Sequence, residues 1–173
     1  ARSLTEGRMD TAATIRCIAS DPVCFEPGTR WQYSIAHDVL AGLIGIIEGK
    51  KFRDYVREAI FNPLGITDCV YHQTPGVQAR MASQYRYVPE PERSGNVFVN
   101  VGKNVDSILG EEYDSGGAGI TGTISDYVKL MAALANYGQG LNGERVLARG
   151  SVELLKANQL NETQMKDFNW PQM

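Results

Sequence analysis

Tyr33 is the last residue but one of the run Pro27-Gly-Thr-Arg-Trp-Gln-Tyr-Ser34 and stands one residue ahead of a well-marked amphipathic stretch. A phenol held at the start of a helix is a candidate general base. Phenols titrate near 10, so work near neutrality requires a shift of about three units, roughly 4 kcal/mol of differential stabilisation. A helix N-terminus supplies about 0.3–1 kcal/mol of that. The rest needs cations beside the oxygen, since an opposite charge within about 4–6 Å moves a pKa by 1–3 units. Lys50 and Lys51 lie past the far end of the stretch, about 24 Å away at about 1.5 Å per residue. Arg30 is near in sequence, but its partner is not legible there. The competing reading of Tyr33 is a core tyrosine whose hydroxyl bonds a turn carbonyl.

Other residues around it carry chemistry of the same two-sided kind. Ser34 suits a helix cap better than a nucleophile. His37 and Asp38 fall in the first helical turn, where solvent or dipole contact competes with acid–base work. Ser115 beside Gly116, Gly117 and Gly119 suits a tight packing loop, with an oxyanion hole as the alternative. Trp31, Tyr85 and Tyr87 are cleft-lining or core aromatics. Cys17, Cys24 and Cys69 contain no C-x-x-C pair, and His37 and His72 form no H-x-x-x-H pair, so no metal or other cofactor is expected. The thiols read as small buried or half-buried side chains, with nothing to support a Cys17–Cys24 bridge.

The elements that must position these groups follow from periodicity and punctuation. Asp10 or Thr11 caps a short helix carrying Ala12, Ile15 and Ile18, which Asp21-Pro22 ends. Ser34 is expected to cap the next helix. Ile35, Val39, Leu40, Leu43, Ile44 and Ile47 follow its 3.6 period, and Gly49 stops it. Gly42 and Gly45 weaken that helix by about 1 kcal/mol each against alanine, which implies close approach of another element. Phe52, Tyr55, Val56, Ala59 and Ile60 mark a further helix, ended by Asn62-Pro63-Leu64-Gly65. Residues 81–88 and 97–101 read as two strands of a small hairpin, with turns at 89–91 and 94–96. Ser125 is expected to cap a helix carrying Tyr127, Leu130, Met131 and Leu134 that Gly138 closes. A last helix covers about 151–158. The predicted fold is mainly α with a small β-hairpin.

Composition sets outer bounds. The chain has 173 residues, 43% hydrophobic and 21% charged, ordinary for one soluble globular domain. A net charge of −3 offers no footprint for nucleic acid. No run of 18 apolar residues is present to span a membrane.

Three stretches, in this order, resemble the serine β-lactamase and penicillin-binding-protein-like hydrolases, in the branch with class C enzymes, esterases and D-aminopeptidases. They are Phe25-Glu-Pro-Gly-Thr-Arg-Trp-Gln-Tyr-Ser34 running into Ile35–Leu40, Phe52–Ile66 with its Asn62-Pro63-Leu64-Gly65, and Ser115–Tyr127 followed by Asn158-Gln159-Leu160. The resemblance implies the middle, helical lobe of a β-lactamase/transpeptidase-like fold, with residues 1–173 as one partial domain. It implies an α/β lobe elsewhere that bears the S-x-x-K serine and lysine and, on a late strand, K-T-G or H-x-G. None of those motifs occurs in the chain, nor does G-x-S-x-G. Tyr33-Ser34-Ile35 takes the place of the family's Y-x-N, so Tyr33 is the implied catalytic base. Ile35 stands where asparagine helps to hold a substrate amide and the catalytic lysine, which favours ester over amide or lactam cleavage.

The expected function is therefore part of a serine hydrolase acting on small-molecule esters, peptides or β-lactams through an acyl-enzyme, with this chain inactive alone. The alternatives are a non-catalytic binding or regulatory module on the same scaffold and a free-standing helical interaction domain. The face that meets the missing lobe should be apolar and prone to self-association.

Overall fold

The computed structural model describes residues 9–89, 97–103 and 111–168. Asp10 opens helix α1 (Thr11–Ile18), its carboxylate accepting from the Ala13 N–H at 2.6 Å. Helix α2 (Ala36–Glu48) stops at Gly49, which takes the left-handed conformation with φ 66°. Ile35, not Ser34, holds its cap position. The Ser34 hydroxyl reaches only the Ala36 N–H, at 3.2 Å, because the chain has already turned into the helix at Ile35.

Helix α3 (Phe52–Val56) runs through a π-helical turn at Arg57–Phe61 into α4 (Asn62–Leu64), and left-handed Gly65 ends it. Pro63 has no N–H to give to the Ala59 carbonyl, so the regular ladder fails there and the widened turn takes up the mismatch. Helix α5 (Pro75–Arg80) is absent from the sequence-based expectation. Its signal is Thr74-Pro75, with the Thr74 hydroxyl accepting from the Val77 N–H and proline in the first turn.

Strand β1 (Gln84–Tyr87) pairs antiparallel with β2 (Phe98–Gly102), setting Tyr87 opposite Phe98 with ring centroids 5.8 Å apart. Every residue of both strands is exposed, so the hairpin is a surface ornament, as its sequence implies. The turns expected between the strands fall on residues 90–96, outside the described residues.

Helix α6 (Ile124–Ala135) starts earlier than expected, because Thr123 and not Ser125 accepts from the Asp126 N–H. It ends where Gly138, at φ 90°, donates back to Ala133. Helix α7 spans Arg149–Lys156, slightly earlier than the 151–158 expected. Helix α8 (Glu162–Asp167) is absent from the sequence-based expectation; Asn161 and Gln164 form the capping box that starts it.

The core is small. Val56, Phe61 and Leu64 from the α3–α4 helix, with Ile66 just past its end, meet Ala133 of α6, with Phe52, Tyr55, Leu130 and Val146 packed around them. Full burial of such a Leu, Ile or Phe side chain is worth about 1.5–3 kcal/mol. A buried carboxylate ties the two helices: Asp126 accepts the Thr67 and Asp68 N–H groups at 3.0 and 2.6 Å and the Lys129 ammonium at 2.7 Å. Those donors hold its pKa below the usual range, against the opposing effect of burial.

Helix α2 buries its small face. A Cβ on Gly42 would come within 2.6 Å of Ile15 in α1, the close approach that excuses glycine there. Ala41 is buried, whereas Leu40 and Ile47 of the apolar stripe are 54% and 71% exposed. The stripe that marks α2 in the sequence is thus not the face it packs.

Candidate active site

The Tyr33 segment is built from a turn and an extended run. Thr29 closes the turn, its N–H and hydroxyl both donating to the Glu26 carbonyl at 3.1 and 2.6 Å. Beyond it, among the described residues, the hydrogen bonds of Gly28, Arg30 and Trp31 go to α8 and its flanks. The Gly28 carbonyl accepts from the side-chain amides of Gln164 (3.0 Å) and Asn161 (3.4 Å). Arg30 makes a two-pronged pair with Asp167, through Nε at 3.0 Å and Nη2 at 2.9 Å. The Trp31 N–H donates to the same carboxylate at 3.2 Å, and the indole meets Phe168 edge-on at 4.8 Å. These donors, Arg30 first and Trp31 second, hold the Asp167 carboxyl below its usual range.

The helix that follows is pinned from the other side. Asp38 accepts from the Gly116 N–H at 2.8 Å. A Cβ on Gly116 would lie 2.0 Å from the His37 carbonyl oxygen, so only glycine lets the 115–119 loop approach α2 this closely. Ser115 is buried, and its hydroxyl accepts from the Gly117 and Ala118 N–H groups at 3.1 and 3.0 Å. Those amides are spent on closing the loop, which is the packing role and not the oxyanion hole. Tyr113 leans on the same carboxylate: burial, then the charge of Asp38 and a hydrogen bond to it, push its phenol up to about 12.

Between these anchors Tyr33 is 71% exposed, and among the described residues its hydroxyl has no hydrogen-bond partner. That removes the reading of a core tyrosine bonded to a turn carbonyl. Arg30, Lys50 and Lys51 are engaged elsewhere. Arg30 is held by Asp167, Lys50 by Glu58 at 2.7 Å, and Lys51 by Glu112. None of the three is bonded to the Tyr33 hydroxyl.

The remaining candidates separate cleanly. Tyr85 and Tyr87 are exposed on the hairpin and are not core aromatics, while Trp31 is half-buried against Phe168. His37 is exposed; Asp38 serves the loop contact instead of free solvent. Cys17 and Cys24 are exposed and only Cys69 is half-buried, which corrects the expectation for the first two.

Two polar centres escaped the sequence reading. One is Asp126, above. The other is Asp114, 1% exposed, which accepts the Arg53 N–H (2.9 Å) and the Arg53 Nε–H (3.1 Å) and meets His72 Nε2 at 3.2 Å. Its backbone N–H donates to Thr11, so it joins α1, α3 and the 111–119 loop. An aspartate next to Ser-Gly-Gly carries no local mark of burial; only the distant partners reveal it.

Residues 1–170 match the family model Beta-lactamase. The chain belongs to the beta-lactamase family. Esterase EstB from Burkholderia gladioli is 32% identical over 137 residues, 72% of this chain and 34% of that protein. Lovastatin esterase from Penicillium rubens is 28% identical over 113 residues, 65% of this chain and 28% of the esterase. Among solved structures, the LovD6 mutant of simvastatin synthase from Aspergillus terreus superposes with a TM-score of 0.71 at 24% identity, over 87% of this chain and 35% of that one. The helices and two-stranded sheet are thus similar to the β-lactamase/transpeptidase fold. The beta-lactamase-family chain spans about a third of the length of the curated relatives it matches.

Proposed function

We propose that residues 1–173 form the tyrosine-bearing helical lobe of a serine hydrolase that cleaves small-molecule esters. The observation that carries this reading is Tyr33: an exposed phenol, free of internal partners, on a segment anchored from both sides. The esterase relatives support the choice of ester. Ile35, 52% exposed two residues beyond the phenol, supports it too, because an apolar side chain has no donor or acceptor for a substrate amide.

In the proposed reaction a serine of the α/β lobe attacks the ester carbonyl while its hydroxyl proton passes to the Tyr33 phenolate. The phenol returns that proton to the departing alcohol, leaving an acyl-serine. Water then attacks the acyl carbon, its proton going to Tyr33, and the phenol passes that proton to the serine oxygen as the acyl bond breaks, which releases the acid and restores the serine hydroxyl and the phenolate. The lysine that accompanies the serine in S-x-x-K supplies the cation that Arg30, Lys50 and Lys51 do not.

The chain by itself is expected to be inert. Incubation with a fluorophosphonate probe should label no serine within residues 1–173, and a p-nitrophenyl ester should not be turned over. The protein expressed from the complete reading frame should do both. Stoichiometric labelling of a serine in this chain would sink the proposal. Ile35 also supports a second reading, a non-catalytic binding module on the same scaffold. An unreactive protein from the complete reading frame would decide for it.

The exposed stripe of α2, including Leu40, Leu43 and Ile47, is proposed as part of the face that meets the α/β lobe. The isolated chain should then self-associate. Its weight-average mass in light scattering is expected to rise with concentration, and a strict monomer at high concentration counts against this assignment.

A further inference from the structure

Five hydrogen bonds from one short helix and its flanks converge on residues 28–31, from sequence positions more than 130 residues away. The way Asn161 and Gln164 are used explains the convergence. Their oxygens close the capping box, Asn161 Oδ1 on the Gln164 N–H and Gln164 Oε1 on the Asn161 N–H. Their NH₂ groups are thereby left pointing away from the helix, and both donate to the Gly28 carbonyl. The other end of the helix presents Asp167 to the Arg30 fork and to the Trp31 N–H. Among the described residues, Trp31 is the one residue from Arg30 to Ser34 whose backbone N–H finds a protein acceptor. The run carrying Tyr33 has no strand partner and no helical hydrogen bonds of its own. Its position is therefore set by α8 on one side and by the start of α2 on the other.

We propose that α8 is a latch on the base-bearing segment, with Asp167 as the positioning residue that holds Tyr33 at its working distance from the substrate. The inference rests on the reading of Tyr33 as the base. Asp167 touches neither substrate nor reacting atoms; it acts through Arg30 and Trp31. Tyr33 lies only two residues past the Trp31 amide, so freedom at Trp31 passes directly to the phenol. Loss of about 1 Å of placement at a catalytic group costs up to about a hundredfold in rate.

The test is Asp167→Asn in the full chain, read by hydrogen exchange at single amides. The Trp31 amide should exchange at least about tenfold faster, with amides of α6 changed less than about twofold. Arg30→Gln should reproduce the effect from the other side, and Asp167→Glu should restore part of the protection. An unchanged Trp31 amide, or an equal rise in α6, would overturn the latch. In the protein from the complete reading frame, Asp167→Asn should lower kcat about tenfold with KM within about twofold. If Tyr33→Phe is inactive there but Asp167→Asn keeps its full kcat, the positioning role fails alone. If Tyr33→Phe stays active, the base assignment fails and the positioning role with it, while the exchange difference remains as a separate fact.

Discussion

Replacing Tyr33 by phenylalanine should lower kcat/KM for ester hydrolysis by the protein from the complete reading frame about 10²–10⁴-fold, the usual share of a general base. That corresponds to about 3–5 kcal/mol of transition-state stabilisation. The substitution is clean because it removes only the hydroxyl, which among the described residues bonds to nothing, from a side chain that is 71% exposed. Folding should be untouched, with an unchanged urea midpoint. The loss should fall on kcat, since a proton-transfer group stabilises the transition state more than bound substrate. The acidic limb of the kcat/KM profile should also change, because the group whose deprotonation it reports is gone. Activity within about threefold of the unsubstituted protein would eliminate Tyr33 as the base.

The largest effect on stability should come from Asp114→Ala. Removing one member of a buried, hydrogen-bonded pair costs about 3–5 kcal/mol, because its partner is left charged and poorly solvated. Arg53 is still 20% exposed at its side chain, so about 3 kcal/mol is the better figure. His72 and the Arg53 backbone N–H lose the same acceptor. Against a total stability of about 5–15 kcal/mol, that is a substantial fraction, and the urea midpoint should fall by about 1–2 M. Asp114→Asn should cost less, since its carbonyl oxygen can still accept. The contrast is Asp54, which pairs with Arg57 three residues on, their side chains 32% and 56% exposed. Asp54→Ala should move stability by no more than about 0.5 kcal/mol. Equal effects of the Asp114 and Asp54 substitutions would show that burial of Asp114 contributes nothing.

Most helices were legible because their signals are local. Asp10, Gly49, Gly65 and Gly138 act through a turn of backbone, and the α2 and α6 periods need only a dozen residues to declare themselves. The misses have the same origin in reverse. Helices α5 and α8 are too short to display a period, and only Thr74-Pro75 and Asn161-Glu-Thr-Gln164 announce them. Thr123 and not Ser125 caps α6 because two hydroxyl residues two positions apart offer the same chemistry, and the approach of the chain decides between them.

The same division holds for the site. The residue types and their order sufficed to place the chain in its family, to single out Tyr33 and to show that S-x-x-K is missing from it, because motifs are one-dimensional. The α2 stripe was equally plain, but not the direction in which it faces: a periodic pattern says that a helix has an apolar side, whereas packing of Gly42 and Ala41 against neighbours decides which side is buried. Arg30 is the sharpest case. Its charge was visible as a possible activator of Tyr33, yet its partner lies 137 residues away at Asp167, and Thr11 meets Asp114 across 103. Hydrogen bonds act over about 3 Å, so only the tertiary fold can choose between partners that the chain holds so far apart.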